Sequence, residues 1–250
     1  MMRRLEKRCW VLGMVTSLLF LSGGCQENSA SLVIIQNQIP GAGCSVESTA
    51  STNYRPQGTL DVSWYTEVGQ PAGYYMFPLV QNNLMSTEDT ENGVVEQNCV
   101  TIKETQVDLK LGALGTYVES NFTKYKVPTA VTICPGEMRA VSVMVIPPQV
   151  VEIIAPQIRE DGMEYVNVKI RMVGKRGGTT IKSNSMSYPI FICNGCLIKD
   201  LGDCNSPTIP ESPAAGNECN PAQDNRLDCC QSGVEWICPA VSSYQEDPAE

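Results

Sequence analysis

The sequence predicts an all-β chain: an antiparallel immunoglobulin-like β-sandwich followed by a small disulfide-rich, loop-dominated C-terminal segment. Three observations carry this. Apolar and polar residues alternate with period two from about residue 31 to 192, Gly- and Pro-rich turns separate the runs, and cysteine rises abruptly after residue 192.

Taken in chain order, SLVIIQ opens the strand series, and TLDVSWY places Leu60, Val62 and Trp64 on one face against Thr59, Asp61 and Ser63 on the other. That assigns Asp61 to solvent and makes Trp64 a candidate buried aromatic. YYMFPLV and VVEQNCVTI follow, then VDLKL, in which Val107, Leu109 and Leu111 oppose Asp108 and Lys110. TYVESNF and VPTAVTI are the next candidates. RAVSVMVI is apolar on both sides and is therefore expected as a central strand covered on both faces. QVVEIIA comes next. In YVNVKIRM, Val166, Val168, Ile170 and Met172 oppose Tyr165, Asn167, Lys169 and Arg171, and TTIKS and MSYPIFI complete the set. The separators GQPAG, ENG, PGE, PP, EDG and GKRGG are turn chemistry, with Lys175-Arg176-Gly177-Gly178 read as an exposed hairpin tip.

The expected division is a signal peptide at 1–24, a tether at 25–30, a sandwich at 31–192 and a cysteine-rich acidic tail at 193–250. The tail holds seven cysteines, six prolines, two basic and ten acidic residues, too little apolar side chain to build a core of its own. After residue 24 the chain carries 14 basic and 26 acidic residues, which speaks against nucleic acid as a partner.

The N-terminus sets the expected address. Basic MMRRLEKR precedes the uncharged stretch CWVLGMVTSLLFLS, which is too short for a membrane span of about twenty residues and reads as a secretory signal. It ends in LSGGC. This resembles the lipobox of bacterial lipoproteins, with Ser22 standing where that family prefers Leu; the resemblance implies acylation of Cys25 and anchoring in a membrane. Gln26, rather than Asp, then points to the outer membrane. Ordinary cleavage after Ser22-Gly23-Gly24 is the alternative, and it leaves eleven cysteines, one of them unpaired. Lipidation of Cys25 leaves ten: Cys44, Cys99, Cys134, Cys193, Cys196, Cys204, Cys219, Cys229, Cys230 and Cys238. Together with PLVQNNL, SYPIFICNGCL and AQDNRLDCC, the whole chain resembles uncharacterised myxobacterial-type envelope lipoproteins. That family brings no activity to carry over.

The chain has no histidine. Ser-His-Asp and Cys-His nucleophiles, His-ligated zinc hydrolase sites and the usual general base at neutral pH are thereby absent. A non-enzymatic protein without a cofactor is expected, in contact with the membrane through its lipid and with an unidentified protein or envelope partner.

CNGC admits three uses. A redox pair needs its first cysteine at a helix N-terminus, yet Cys193 ends an apolar run. Zinc has a candidate set in Cys193, Cys196, Cys204 and Cys219. As a cross-link, Asn194-Gly195 is the two-residue hairpin turn that sets Cys193 opposite Cys196. With Cys193 counted in the tail, pairing of all ten cysteines requires a bridge from tail to sandwich, and adjacent Cys229 and Cys230 are expected to take separate partners. Asp200, Asp203, Asn205, Asp224, Asn225 and Asp228 form an acidic set to weigh for calcium, although they lack the EF-hand loop grammar.

Overall fold

The computed structural model describes residues 31–88, 93, 95–210 and 212–239. The expected signal and tether, Cys25 included, lie outside the described residues, as does the end of the tail. The fold is all-β. Its largest sheet has the order β2-β10-β9-β5-β6, formed by Gly58–Asp61, Thr179–Cys193, Met163–Arg176, Val100–Lys110 and Lys124–Ile133. A three-stranded sheet runs β1-β4-β7 (Leu32–Asn37, Pro78–Asn82, Met138–Ala140). β3 (Tyr74–Met76) pairs with β8 (Val143–Ile146), and the tail folds as β11-β12-β13 (Ile198–Asp203, Leu227–Ser232, Glu235–Ile237). Most pairings are antiparallel, but β10 with β2 and β11 with β12 run parallel.

Alternation places the core. Val107 and Leu109 of β5, and Val166, Val168, Ile170 and Met172 of β9, face inward and join Leu32, Ile34 and Val80 of the smaller sheet in one apolar cluster. The two sheets are also tied by polar bonds. β10 bulges between Lys182 and Ser185, and there Asn184 accepts from the Ile34 N–H at 2.7 Å and donates to the Ile34 carbonyl at 3.2 Å. β9 and β10 meet in the hairpin at Gly177-Gly178, whose flanking Arg176 and Thr179 pair.

Three expected strands are helical in whole or in part. TLDVSWY extends only to Asp61, because the chain then turns into α1 (Ser63–Thr66), which still buries Trp64. TYVESNF is a 3-10 turn over Gly112–Thr116 followed by α2 (Ser120–Thr123). QVVEIIA forms α3 (Pro148–Ile154), with Pro148 in the first turn, where its missing N–H costs nothing, and Val150, Val151 and Ile154 on its buried face. RAVSVMVI is no single central strand. It divides into β7 on the edge of one sheet and β8 in another, with Val141, Val143, Val145 and Ile146 buried and Ala140 and Met144 only half-buried.

The tail packs on the sandwich and contributes to the same core through Ile198, Ala222, Leu227, Cys229 and Cys238. Residues 222–224 line the free edge of β2: the Asp61 N–H donates to the Ala222 carbonyl and the Asp224 N–H to the Thr59 carbonyl, both at 2.9 Å. The Gln223 amide accepts from the Tyr75 N–H at 2.9 Å and donates to the Tyr75 carbonyl at 3.1 Å, replacing a strand neighbour.

Candidate functional site

The seam between β10 and the tail is built around Asp61. Cys193 closes β10 and its carbonyl accepts from the Val62 N–H at 2.8 Å. The chain does not reverse there into the expected hairpin. Gly195, at φ 86, bends it onward into β11, whose partner is β12, and Cys193 and Cys196 are bonded across the bend with Cα atoms 5.9 Å apart. Asp61, expected on a solvated face, is fully buried beneath this bend. Its Oδ1 accepts from the Gly195 N–H at 2.8 Å, the Ser63 N–H at 3.0 Å and the Ser63 hydroxyl at 2.7 Å. Its Oδ2 accepts from the N–H groups of Leu197 at 2.6 Å and Ile198 at 3.0 Å. Five donors to one carboxylate make a strong charge-assisted anchor. The period-two reading failed here because the tail covers the polar face of β2.

Among the described residues, Asp61, Cys193 and Cys196 are the one group of three potential metal ligands, their donor atoms within 4.8 Å of one another. Both sulfurs are engaged in the disulfide, and Asp61 is committed to backbone donors. Cys193 is buried and Cys196 is exposed. A carboxylate beside a thiol opposes thiolate formation, and no helix begins at Cys193. The local chemistry is that of a cross-link.

The remaining cysteines pair as Cys44–Cys219, Cys99–Cys134, Cys204–Cys230 and Cys229–Cys238. Cys44–Cys219 joins sandwich to tail, and the adjacent Cys229 and Cys230 take separate partners. The zinc set is not gathered: its four cysteines are distributed over three bridges.

Nor is the acidic set gathered for calcium. Asp228 accepts from the Ala214 N–H at 3.0 Å and pairs with Arg226 at 2.7 Å, Asp200 accepts from Gly202 and Gln231, and Asp203 accepts from Asn205. Asp224 turns into the sandwich. Its carboxylate accepts from the Thr59 N–H at 2.9 Å, from the Tyr74 hydroxyl at 3.0 and 2.9 Å and from Gln223 at 3.2 Å, with Arg55 at 3.4 Å. The Tyr74 hydroxyl lies 3.2 Å from that of Tyr188. Burial raises the Asp224 carboxyl above its ordinary range against the opposing pull of Arg55, pushes Tyr74 well above its own, and pushes Tyr188 up to about 12. Gly58 makes room for this network, since a Cβ there would stand 2.1 Å from the Tyr74 hydroxyl.

A feature not anticipated from sequence lies on the outer face of the large sheet. A groove of about 390 Å³ runs over β6, β5, β9 and β10, bordered by Lys124, Lys126, Lys169 and Arg171 with Asp108 between them. The basic residues come from segments some forty positions apart, so no local run announced them; only the strand register brings them together. No protein-family model, curated protein or solved structure matches this chain.

Proposed function

We propose that the protein is an exported, non-enzymatic lipoprotein of the cell envelope, held at the outer membrane through acylated Cys25 and serving there as a binding or structural module. One observation carries the reading: the ten cysteines that follow Cys25 form five bridges. Lipidation of Cys25 leaves an even set with every thiol used, and such a set persists in an oxidising compartment. The acidic balance disfavours nucleic acid as the partner.

Membrane fractionation of the wild type and of Cys25→Ala tests the anchor. The wild type is expected in the membrane fraction and the variant in the soluble fraction; unchanged retention of the variant contradicts lipid anchoring. A second reading, a thiol-redox or metal-binding lipoprotein, draws on the exposed Cys196 beside Asp61. Mass spectrometry after alkylation without reductant, with metal quantified, separates the two. Five disulfides and no metal are expected, whereas a persistent Cys193/Cys196 thiol pair or stoichiometric zinc sinks the first reading.

A further inference from the structure

We propose that the basic groove on the outer face of the large sheet binds an acidic polysaccharide. The strand register builds it in two rungs. Asp108 of β5 stands between Lys124 of β6 and Lys169 of β9, and Gln106 stands between Lys126 and Arg171. With strands about 4.8 Å apart and like-facing residues about 7 Å apart along a strand, the four cationic side chains are rooted at the corners of a rectangle of about 10 by 7 Å. A single small anion meets one corner; a chain with repeated, spaced charges meets all four.

The concentration of charge is specific to this face. Lys110, Lys124, Lys126, Lys169 and Arg171 are five of the 14 basic residues after residue 24 in a strongly acidic chain. Two acids offset them: Glu104 holds Lys126 at 3.0 Å, and Asp108 holds Lys110 at 3.6 Å. Lys124 and Lys169 belong to no ion pair among the described residues. Arg171 donates from Nε to the Ser185 hydroxyl at 3.1 Å, which fixes its guanidinium at the border of the groove.

Two features select a hydroxylated, sparsely charged polymer. Among the described residues the Asp108 carboxylate accepts no hydrogen bond; its Oδ1 meets only the Lys110 ammonium, at 3.6 Å, which leaves it able to accept one. Among lysines it repels an anion and accepts from a sugar hydroxyl. Duplex nucleic acid, with one charge per about 1.7 Å, is too dense for four cations with Asp108 between them and Glu104 beside Lys126. The proposal rests on the binding-module reading above but not on the anchor, so a failed fractionation test leaves it standing.

The test is titration of the purified, oxidised full chain in detergent with polygalacturonate, heparin, polyphosphate, neutral dextran and duplex DNA. The expected result is salt-sensitive binding of polygalacturonate, weaker binding of the densely sulfated heparin, and none of dextran. Lys124→Gln/Lys169→Gln is expected to weaken that binding at least tenfold and to lower the log–log salt slope by about one per lysine removed. Lys175→Gln/Arg176→Gln at the hairpin tip is expected to leave it unchanged. Asp108→Asn is expected to weaken binding of the saccharide while strengthening that of polyphosphate, a divergence that simple charge attraction does not produce. The proposal is overturned by absence of saccharide binding at low salt, by equal losses in the hairpin-tip variant, by parallel responses of both polymers to Asp108→Asn, or by tighter binding of DNA.

Discussion

Replacing Asp61 by Asn removes one of two acceptor oxygens and turns an amide toward the N–H groups of Leu197 and Ile198. Leaving buried donors unmet costs about 1–3 kcal/mol each, so D61N is expected to destabilise the protein by about 3 kcal/mol and lower Tm by roughly 10 °C. A Tm within 2 °C of wild type contradicts the anchoring role. Two other carboxylates act with opposite sign. Asp224 is raised, chiefly by burial, so its native form holds its proton more tightly than the unfolded chain does. Its stabilising contribution is present below the ordinary carboxylate value near 3.8 and is lost as pH rises through the raised native value. Burial also works to raise Asp228, but the Ala214 N–H and Arg226 outweigh it and the native carboxyl lies low. That contribution is present above the ordinary value and is lost as pH falls through the native one. In denaturant titrations at several pH values, the stability gap between wild type and D224N is expected to shrink with rising pH and the gap for D228N to grow. Slopes of the same sign contradict these assignments. The sequence hid these roles because burial of an acid depends on what covers it, and the cover for Asp61 comes from 134 or more residues away.

At the scale of elements, what the sequence revealed depended on the length of the pattern. YVNVKIRM alternates over eight residues and lies within β9 with its four apolar side chains buried, because a long alternation fits no helical face. VDLKL was equally legible within β5, except that Leu111 lies just beyond the strand. QVVEIIA misled because seven residues satisfy either period; Pro148, read as a turn, was the first-turn signal of α3. Glu152 provides a direct check. It lies on the exposed side of α3, and proline there removes an i→i−4 bond and collides with the preceding turn, at a cost of about 3 kcal/mol. E152P is therefore expected to lower Tm by roughly 10 °C while E152A stays within about 0.5 kcal/mol of wild type. Equal tolerance of both substitutions contradicts the helix.

For the molecule as a whole, the position of the tail matters more than its cross-links. A tail with little apolar surface was expected to depend on disulfides for order. Cys44–Cys219 does close a loop of 175 residues, worth about 5 kcal/mol in the chain-entropy model. Yet the dependence also runs the other way, because the sandwich uses the tail to complete itself. Three of the five donors to buried Asp61 lie at or beyond Gly195, the open edge of β2 is lined by residues 222–224, and Tyr74 hydrogen-bonds to Asp224. Removing the tail uncovers Asp61 and leaves that carboxylate and the Tyr74 hydroxyl without these partners. A chain ending at Cys193 is therefore expected to express as aggregate, or to lose its cooperative thermal transition, in contrast to the full chain. The full-length Cys44→Ser/Cys219→Ser variant is expected to remain soluble and cooperative at a lower Tm, because its hydrogen bonds to the sandwich are intact. Calorimetry of both decides between the two views. If the truncated chain melts cooperatively, the sandwich is self-sufficient and the tail an appendage; if only the cysteine variant melts cooperatively, residues 194–239 belong to the fold itself.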